Sequence, residues 1–142
     1  MSYNNPNIIY FSTRNSSGSK LFKTTNGGSS WAQIGVGALP DLIITDIATL
    51  DSEPNTVWVT FSGTSASNKV FRSTNGGSTW SNRSGTLPNI PVNCIILDEN
   101  VEEVYAGLDF GVYKLPSYTS TTWSLFNNNS LPYVYVKELE IH

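Results

Sequence analysis

The chain has 142 residues, a formal net charge of −3 and a pI near 4.9, enough for one domain with a real core. Only eight residues are Lys or Arg, too few for a surface that tracks phosphates, and 13% charged with 12% aromatic residues excludes a disordered tract. One cysteine, Cys94, leaves no intrachain disulfide or multi-cysteine metal site, and no stretch reads as a signal peptide or membrane span, so neither nucleic acid nor membrane is an expected partner.

In chain order, residues 8–12 (Ile-Ile-Tyr-Phe-Ser) form the first run of β-branched and aromatic residues bounded by turn formers, a strand signature. Lys20-Leu-Phe-Lys23 follows as a second strand. The octapeptide Thr24-Thr-Asn-Gly-Gly-Ser-Ser-Trp31 then supplies a tight turn, since Asn-Gly-Gly takes positive φ at little steric cost. A third strand is expected over 31–34 and an inner strand over 43–50. The pattern then repeats. Pro54-Asn55-Thr-Val-Trp-Val-Thr answers Pro6-Asn7-Ile-Ile-Tyr-Phe-Ser, and Lys69-Val-Phe-Arg72 answers Lys20–Lys23. Ser73-Thr-Asn-Gly-Gly-Ser-Thr-Trp80 answers the octapeptide, 49 residues on. Val57 to Val59 is apolar at every position, as in a strand buried on both faces. Strands are expected at 80–83 and 92–98.

A third, worn copy runs from Val104-Tyr-Ala-Gly through Val112-Tyr-Lys114 to Thr122-Trp123. It has lost the Asn-Gly-Gly turn and ends in Ser130-Leu131-Pro132, which answers Ala38-Leu39-Pro40 and Thr86-Leu87-Pro88. Residues 134–141 read as one more inner strand. No window carries the i, i+3, i+4 apolar spacing of a helix. The expected fold is all-β, with four antiparallel strands per repeat of about 40 to 50 residues, the blade of a β-propeller. The repeats span roughly 6–53, 54–101 and 102–142 within one domain.

The two octapeptides resemble the Asp-box, or BNR, repeat, Ser/Thr-x-Asp-x-Gly-x-Thr-Trp. Here it is carried by Thr24, Asn26, Gly28, Ser30 and Trp31, and by Ser73, Asn75, Gly77, Thr79 and Trp80, with Asn in place of Asp both times. The resemblance spans nearly the whole chain. It implies a propeller of the kind found in sialidases, xyloglucan-cleaving glycosidases, sortilin-type receptors and photosystem II assembly factors, and an extracellular or cell-envelope location. It also implies that the box shapes a turn on the face away from the usual active site. From the residues themselves, Asn26 and Asn75 are suited to bond backbone within their own turns, with Trp31 and Trp80 largely buried between blades.

No catalytic set emerges. Arg14, Arg72 and Arg83 are the only arginines, too few for the sialidase cluster, and Arg72 shares a strand position with Lys23 and Lys114. The acidic pair Asp46 and Glu138 stands at equivalent inner-strand positions, with Cys94 the third. Its expected role is a polar channel lining. The terminal His142 has no triad partner. No metal or cofactor is expected, because the boxes hold no carboxylates and no lysine follows the glycines.

The loops opposite the boxes (14–19, 63–68, 109–111, and 35–41, 84–91, 127–133) are rich in Asn, Ser, Gly and Tyr. They suit a glycan or protein ligand, with Arg14, Asp41, Asn89, Asp109, Phe110 and Tyr133 as candidate contacts. The expected function is a non-catalytic propeller scaffold or binding module. The alternatives are a piece of a secreted BNR-repeat glycosidase or a purely structural repeat, natural or engineered. Three blades fall below the usual ring of about four to eight. A homodimer is therefore expected, closed into six blades when residues 133–141 of each copy complete the first blade of the other.

Overall fold

The computed structural model describes residues 5–65, 67–126 and 130–141. Three antiparallel sheets follow one another along the chain. Blade 1 has three strands, β1 (Ile9–Asn15), β2 (Gly18–Thr24) and β3 (Ala32–Ile34). Blade 2 has four, β4 (Ile44–Thr49), β5 (Val57–Phe61), β6 (Val70–Ser73) and β7 (Ser81–Asn82). Blade 3 repeats that order with β8 (Val92–Asp98), β9 (Glu103–Leu108), β10 (Gly111–Leu115) and β11 (Ser124–Leu125). No helix occurs among the described residues. Among the described residues, blade 1 has no inner strand.

The outer strands are shorter than the sequence suggests, each starting one residue after its tryptophan. The Trp80 indole N–H donates to the Gly77 carbonyl at 3.1 Å. The two residues of β7 are both exposed. A short polar outer edge offers little template for pairing with another chain. The inner strands carry a repeated irregularity. The register slips between Ile44 and Asp46 against β5, and between Val92 and Cys94 against β9. Such a bulge re-aims the inserted residue. Accordingly, Thr45 Oγ1 reaches across to the Val92 carbonyl at 2.6 Å, linking two inner strands.

Blade 2, the interior blade, is apolar on both faces, and its two seams hold separate cores. Between blades 1 and 2, Ile8, Tyr10 and Leu21 pack against Val57, Val59, Phe61 and Phe71. Between blades 2 and 3, Trp58 and Val70 pack against Val104, Ala106, Leu115, Tyr118 and Trp123. Every residue of β5 is buried, so the unbroken apolar run at 57–59 does mark a strand covered on both sides.

Two sequence expectations fail, for one reason. Trp31 was expected to be buried, yet it is 41% exposed. Trp80 is half-buried, and Trp123, in the worn copy, is only 5% exposed. The box tryptophan packs against the preceding blade. The Trp123 indole donates to the Arg83 carbonyl at 2.7 Å, and Trp80 stands beside Gly35. Trp31 has no preceding blade, so its ring rests only on its own sheet, edge-on to Phe11 at 4.7 Å. Likewise, residues 134–141 form no strand. The segment lacks a ladder partner, and an unpaired segment does not satisfy its outer backbone groups. It nevertheless runs where a third inner strand, after β4 and β8, would begin. Val136 N–H donates to the Leu108 carbonyl, and Gly111 N–H to the Val134 carbonyl, both at 3.0 Å. The loop over 127–129 and His142 lie outside the described residues.

Candidate functional site

Strand β2 begins at Gly18 and ends at Thr24, so the β1–β2 hairpin and the octapeptide turn lie on opposite edges of the blade. The same holds for the other blades, giving one edge of box turns and one edge of loops.

On the turn edge, the two octapeptides share one hydrogen-bond pattern at their Thr/Ser, Asn, Gly and Ser/Thr positions. Ser30 N–H and Thr79 N–H donate to the Asn26 and Asn75 side-chain oxygens, each at 2.9 Å. The Asn amide nitrogens donate to Ser30 Oγ at 2.9 Å and Thr79 Oγ1 at 2.8 Å. Thr24 Oγ1 and Ser73 Oγ accept from the Gly28 and Gly77 amides at 3.0 and 2.8 Å while donating to the Asn oxygens. Gly76 and Gly77 stand at φ of +68° and +91°, where a side chain is strained, and a Cβ on Gly76 would meet the Lys23 ammonium. The Asn side chains and the hydroxyls of Thr24, Ser30, Ser73 and Thr79 are thus engaged in closing the turns, and the Gly27 and Gly76 amides tie the turns to the Asn7 and Asn55 carbonyls at 3.1 and 2.8 Å.

Along the inner strands, Asp46 spends both carboxylate oxygens on backbone. Oδ1 accepts from Ile47 N–H at 2.8 Å and Oδ2 from Ile95 N–H at 2.9 Å, joining blade 2 to blade 3. Burial, with Asp46 and Glu138 adding negative charge nearby, pushes the Cys94 thiol up to about 11. One residue per inner strand thus gathers at a common position, as the repeat implies. Gly107 is required there: a Cβ would lie 2.5 Å from Cys94 Sγ and 2.6 Å from Val136. No cluster suited to a metal ion occurs among the described residues.

A cation in each blade completes the seams. Lys23 lies over the Tyr10 ring and Arg72 over the Trp58 ring, each at 5.6 Å, and Lys114 lies over Tyr105 at 5.9 Å. Lys23 Nζ crosses to Asn55 Oδ1 at 2.9 Å, and Arg72 crosses to the Tyr118 carbonyl at 3.1 Å. Arg72 is therefore structural, as its place in the repeat suggests. Lys114 has no blade ahead of it and turns back onto Glu103 at 2.6 Å. The sequence reading missed these aromatic–cation pairs. Their signal was the recurrence of an aromatic at one repeat position (Tyr10, Trp58, Tyr105) and of a cation at another (Lys23, Arg72, Lys114).

On the loop edge, the candidate contacts are spread along an arc instead of meeting in one cavity. Arg14 pairs with Ser19 in the β1–β2 hairpin. Asp41 lies against Gly18 and lines a cavity of about 120 Å³ with Leu39, Pro40 and Gln33. Asn89 is exposed two residues after the buried Leu87. Asp109 accepts from the Asn93 side chain at 3.0 Å. Phe110 and Tyr133 are 57% and 68% exposed, and the Gly111–Val134 backbone bond brings their segments together. Asp109 and Phe110 thus lie on a turn next to the segment that carries Tyr133, while Arg14, Asp41 and Asn89 belong to the loops of blades 1 and 2.

Successive antiparallel sheets of three or four strands packed face to face, with inner strands gathered on one side and the octapeptide turns on one edge, define a β-propeller, present here as three blades. The solved structures it resembles agree. It superposes on a GH74 enzyme of Niastella koreensis with a TM-score of 0.73 at 23% identity, covering 94% of this chain and 21% of that one. A GH74 xyloglucanase from Xanthomonas campestris gives 0.68 at 13% identity, over 87% and 21% of the two chains. YCF48 bound to D1 peptide gives 0.54 at 18% identity, over 78% and 35%. The chain spans about a fifth of the length of these glycosidases. No protein-family model and no curated protein matches it.

Proposed function

We propose that this chain is a non-catalytic propeller scaffold that binds a neutral glycan at the loop edge. The observation that carries this is the division of labour between the edges. Repeated polar residues are used up in turns and seams, while Phe110 and Tyr133 stand out from the loop edge beside the Asn93–Asp109 pair. Exposed aromatic rings next to hydrogen-bonding side chains suit the apolar faces and hydroxyls of a sugar. The octapeptides belong in this reading as an Asn form of the Asp-box, and an extracellular or cell-envelope location goes with it. The Xanthomonas campestris neighbour is a xyloglucanase, which makes xyloglucan oligosaccharides the first probe. Calorimetric titration should show binding that weakens at least roughly tenfold, about 1.4 kcal/mol, in Phe110→Ala or Tyr133→Ala. Binding to a protein partner alone, with no glycan bound on an array, overturns the glycan assignment.

A second reading, a piece of a glycosidase, is favoured by the fold neighbours alone. Against it stands Asp46, whose two oxygens are both held by backbone amides. Hydrolysis of xyloglucan or a sialoside that disappears in Asp46→Asn or Glu138→Gln would establish it instead.

A further inference from the structure

Two sheet faces are left open, and the two intact seams show what fits them. On blade 1, Phe11 and Phe22 stack at 5.0 Å beside Trp31, and Phe11 is 38% exposed. These residues occupy the repeat positions of Val59, Phe71 and Trp80, which blade 1 covers in blade 2. On blade 3, Ile96, Tyr105, Val112 and Phe126 line an apolar hollow of about 400 Å³. Tyr105 and Val112 hold the positions of Trp58 and Val70, which blade 3 covers in blade 2. One face is thus a leading face and the other a trailing face, and leading meets trailing at both seams inside the chain.

We infer that a second copy of this chain occupies both open faces, closing a six-bladed ring with twofold symmetry. Three further features point to the same occupant. The first is the inner strand that blade 1 lacks. Leu42 N–H bonds the Pro40 carbonyl at 2.9 Å, Ile90 N–H that of Pro88 at 2.8 Å, and Val134 N–H that of Pro132 at 3.0 Å. Ahead of each, the preceding blade donates to the carbonyl of that same residue. Ser19 N–H bonds Leu42 at 3.1 Å, Lys69 Nζ bonds Ile90 at 2.8 Å and Gly111 N–H bonds Val134 at 3.0 Å. The segment after Pro132 is therefore seated as an inner strand whose blade is missing, and blade 1 is a blade whose inner strand is missing. Carrying over the β4–β5 register sets Leu139 opposite Phe11 and Ile141 opposite Ile9.

The second feature is Lys114. At an intact seam, the equivalent Lys23 reaches Asn55 Oδ1, which stands over Gly76. Asn7 Oδ1 stands over Gly27 in the same way on blade 1. Lys114 of one copy then meets Asn7 of the other, as Lys23 meets Asn55. The third feature is number. Six is the only multiple of three among propellers of about four to eight blades. A closed ring also removes both apolar end faces and the unpaired inner edge.

Light scattering of the chain should give twice the 15.6 kDa chain mass. Trp31→Lys, at an exposed ring, should halve that mass while leaving the far-ultraviolet circular dichroism of the sheets unchanged. Removal of residues 133–142 should also halve it. If that deletion disturbs folding, amide exchange replaces it: β1 amides that do not bond β2 should exchange slowly in the assembly and fast in Trp31→Lys. A monodisperse species of 15.6 kDa overturns the inference and assigns the faces to blades supplied by another chain segment. An assembly of any other size overturns it, as does a dimer that survives Trp31→Lys.

Discussion

The tryptophans at positions 31 and 123 occupy the same place in the repeat and live in different surroundings. Trp123 is buried against blade 2 with its indole N–H bonded to Arg83, although its box has decayed. Trp31 sits in a well-formed box and is 41% exposed. The box therefore does not bury its tryptophan; the neighbouring blade does. Motif integrity governs the turn, and seam occupancy governs the core.

That distinction is sharpened most by Trp58, which is fully buried between blades 2 and 3. Trp58→Ala is expected to cost about 3–5 kcal/mol in chemical denaturation, the range for large-to-small core changes. Trp31→Ala is expected to cost less than about 1 kcal/mol in the single chain, measured at concentrations low enough to dissociate two copies, because little area leaves a packed environment there. Equal losses would break the comparison.

Next in size is Asp46, which joins the inner strands at an intact seam. Asp46→Ala strands the Ile47 and Ile95 amides and is expected to cost about 1–3 kcal/mol. A fall in stability without gain of amide exchange at Ile95 would show that the bridge is not what is lost.

The turn itself is probed at Asn75. Asn75→Ala removes the acceptor of Thr79 N–H and should cost about 0.5–2 kcal/mol in thermal unfolding, as for a lost cap. Asn75→Asp keeps that acceptor, and the Thr79 hydroxyl turns to donate, so a change within about 0.5 kcal/mol is expected.

The smallest effect is expected at Glu99, which bridges the blade 3 turn to blade 2. It accepts from Asp51 N–H at 2.5 Å, Ser52 N–H at 3.1 Å and Ser52 Oγ at 2.5 Å. Burial pushes its carboxyl up, but these hydrogen bonds outweigh that and hold it below its ordinary value near 4.5. A depressed acid stabilises the fold above its unfolded pKa, and that contribution is lost as pH falls through the folded one. Stability should therefore drop as pH falls below about 4.5, with a shallower drop in Glu99→Gln. Since Glu99 is exposed, the difference should stay under about 1 kcal/mol.

The blades were legible in the sequence because their causes are local. Asn-Gly-Gly sets turn geometry from residues four apart, alternating and unbroken apolar runs set strands, and the repeat spacing sets four strands per unit. That is why 92–98 was readable to the residue, and why Asn26 and Asn75 could be assigned to their turns from the sequence. Arg72 was legible as structural for the same reason. The cation–aromatic pairs were not, because Lys23 and Tyr10 lie on different strands and meet only through register. The loop-edge candidates could be placed on one edge from strand order, but only the fold sets the turn of Asp109 and Phe110 next to the segment that carries Tyr133.

What the sequence by itself determined is the content of each blade: its strands, its turn and the residue types on each face. What only the tertiary structure decided is which of those faces are covered. Trp31, Trp80 and Trp123 carry the same code and differ in burial, and residues 134–141 carry an inner-strand code without forming a strand. The reason is physical. A turn is satisfied by bonds within a few residues, whereas a sheet face is satisfied only by what packs against it, and that partner is not encoded in the face itself.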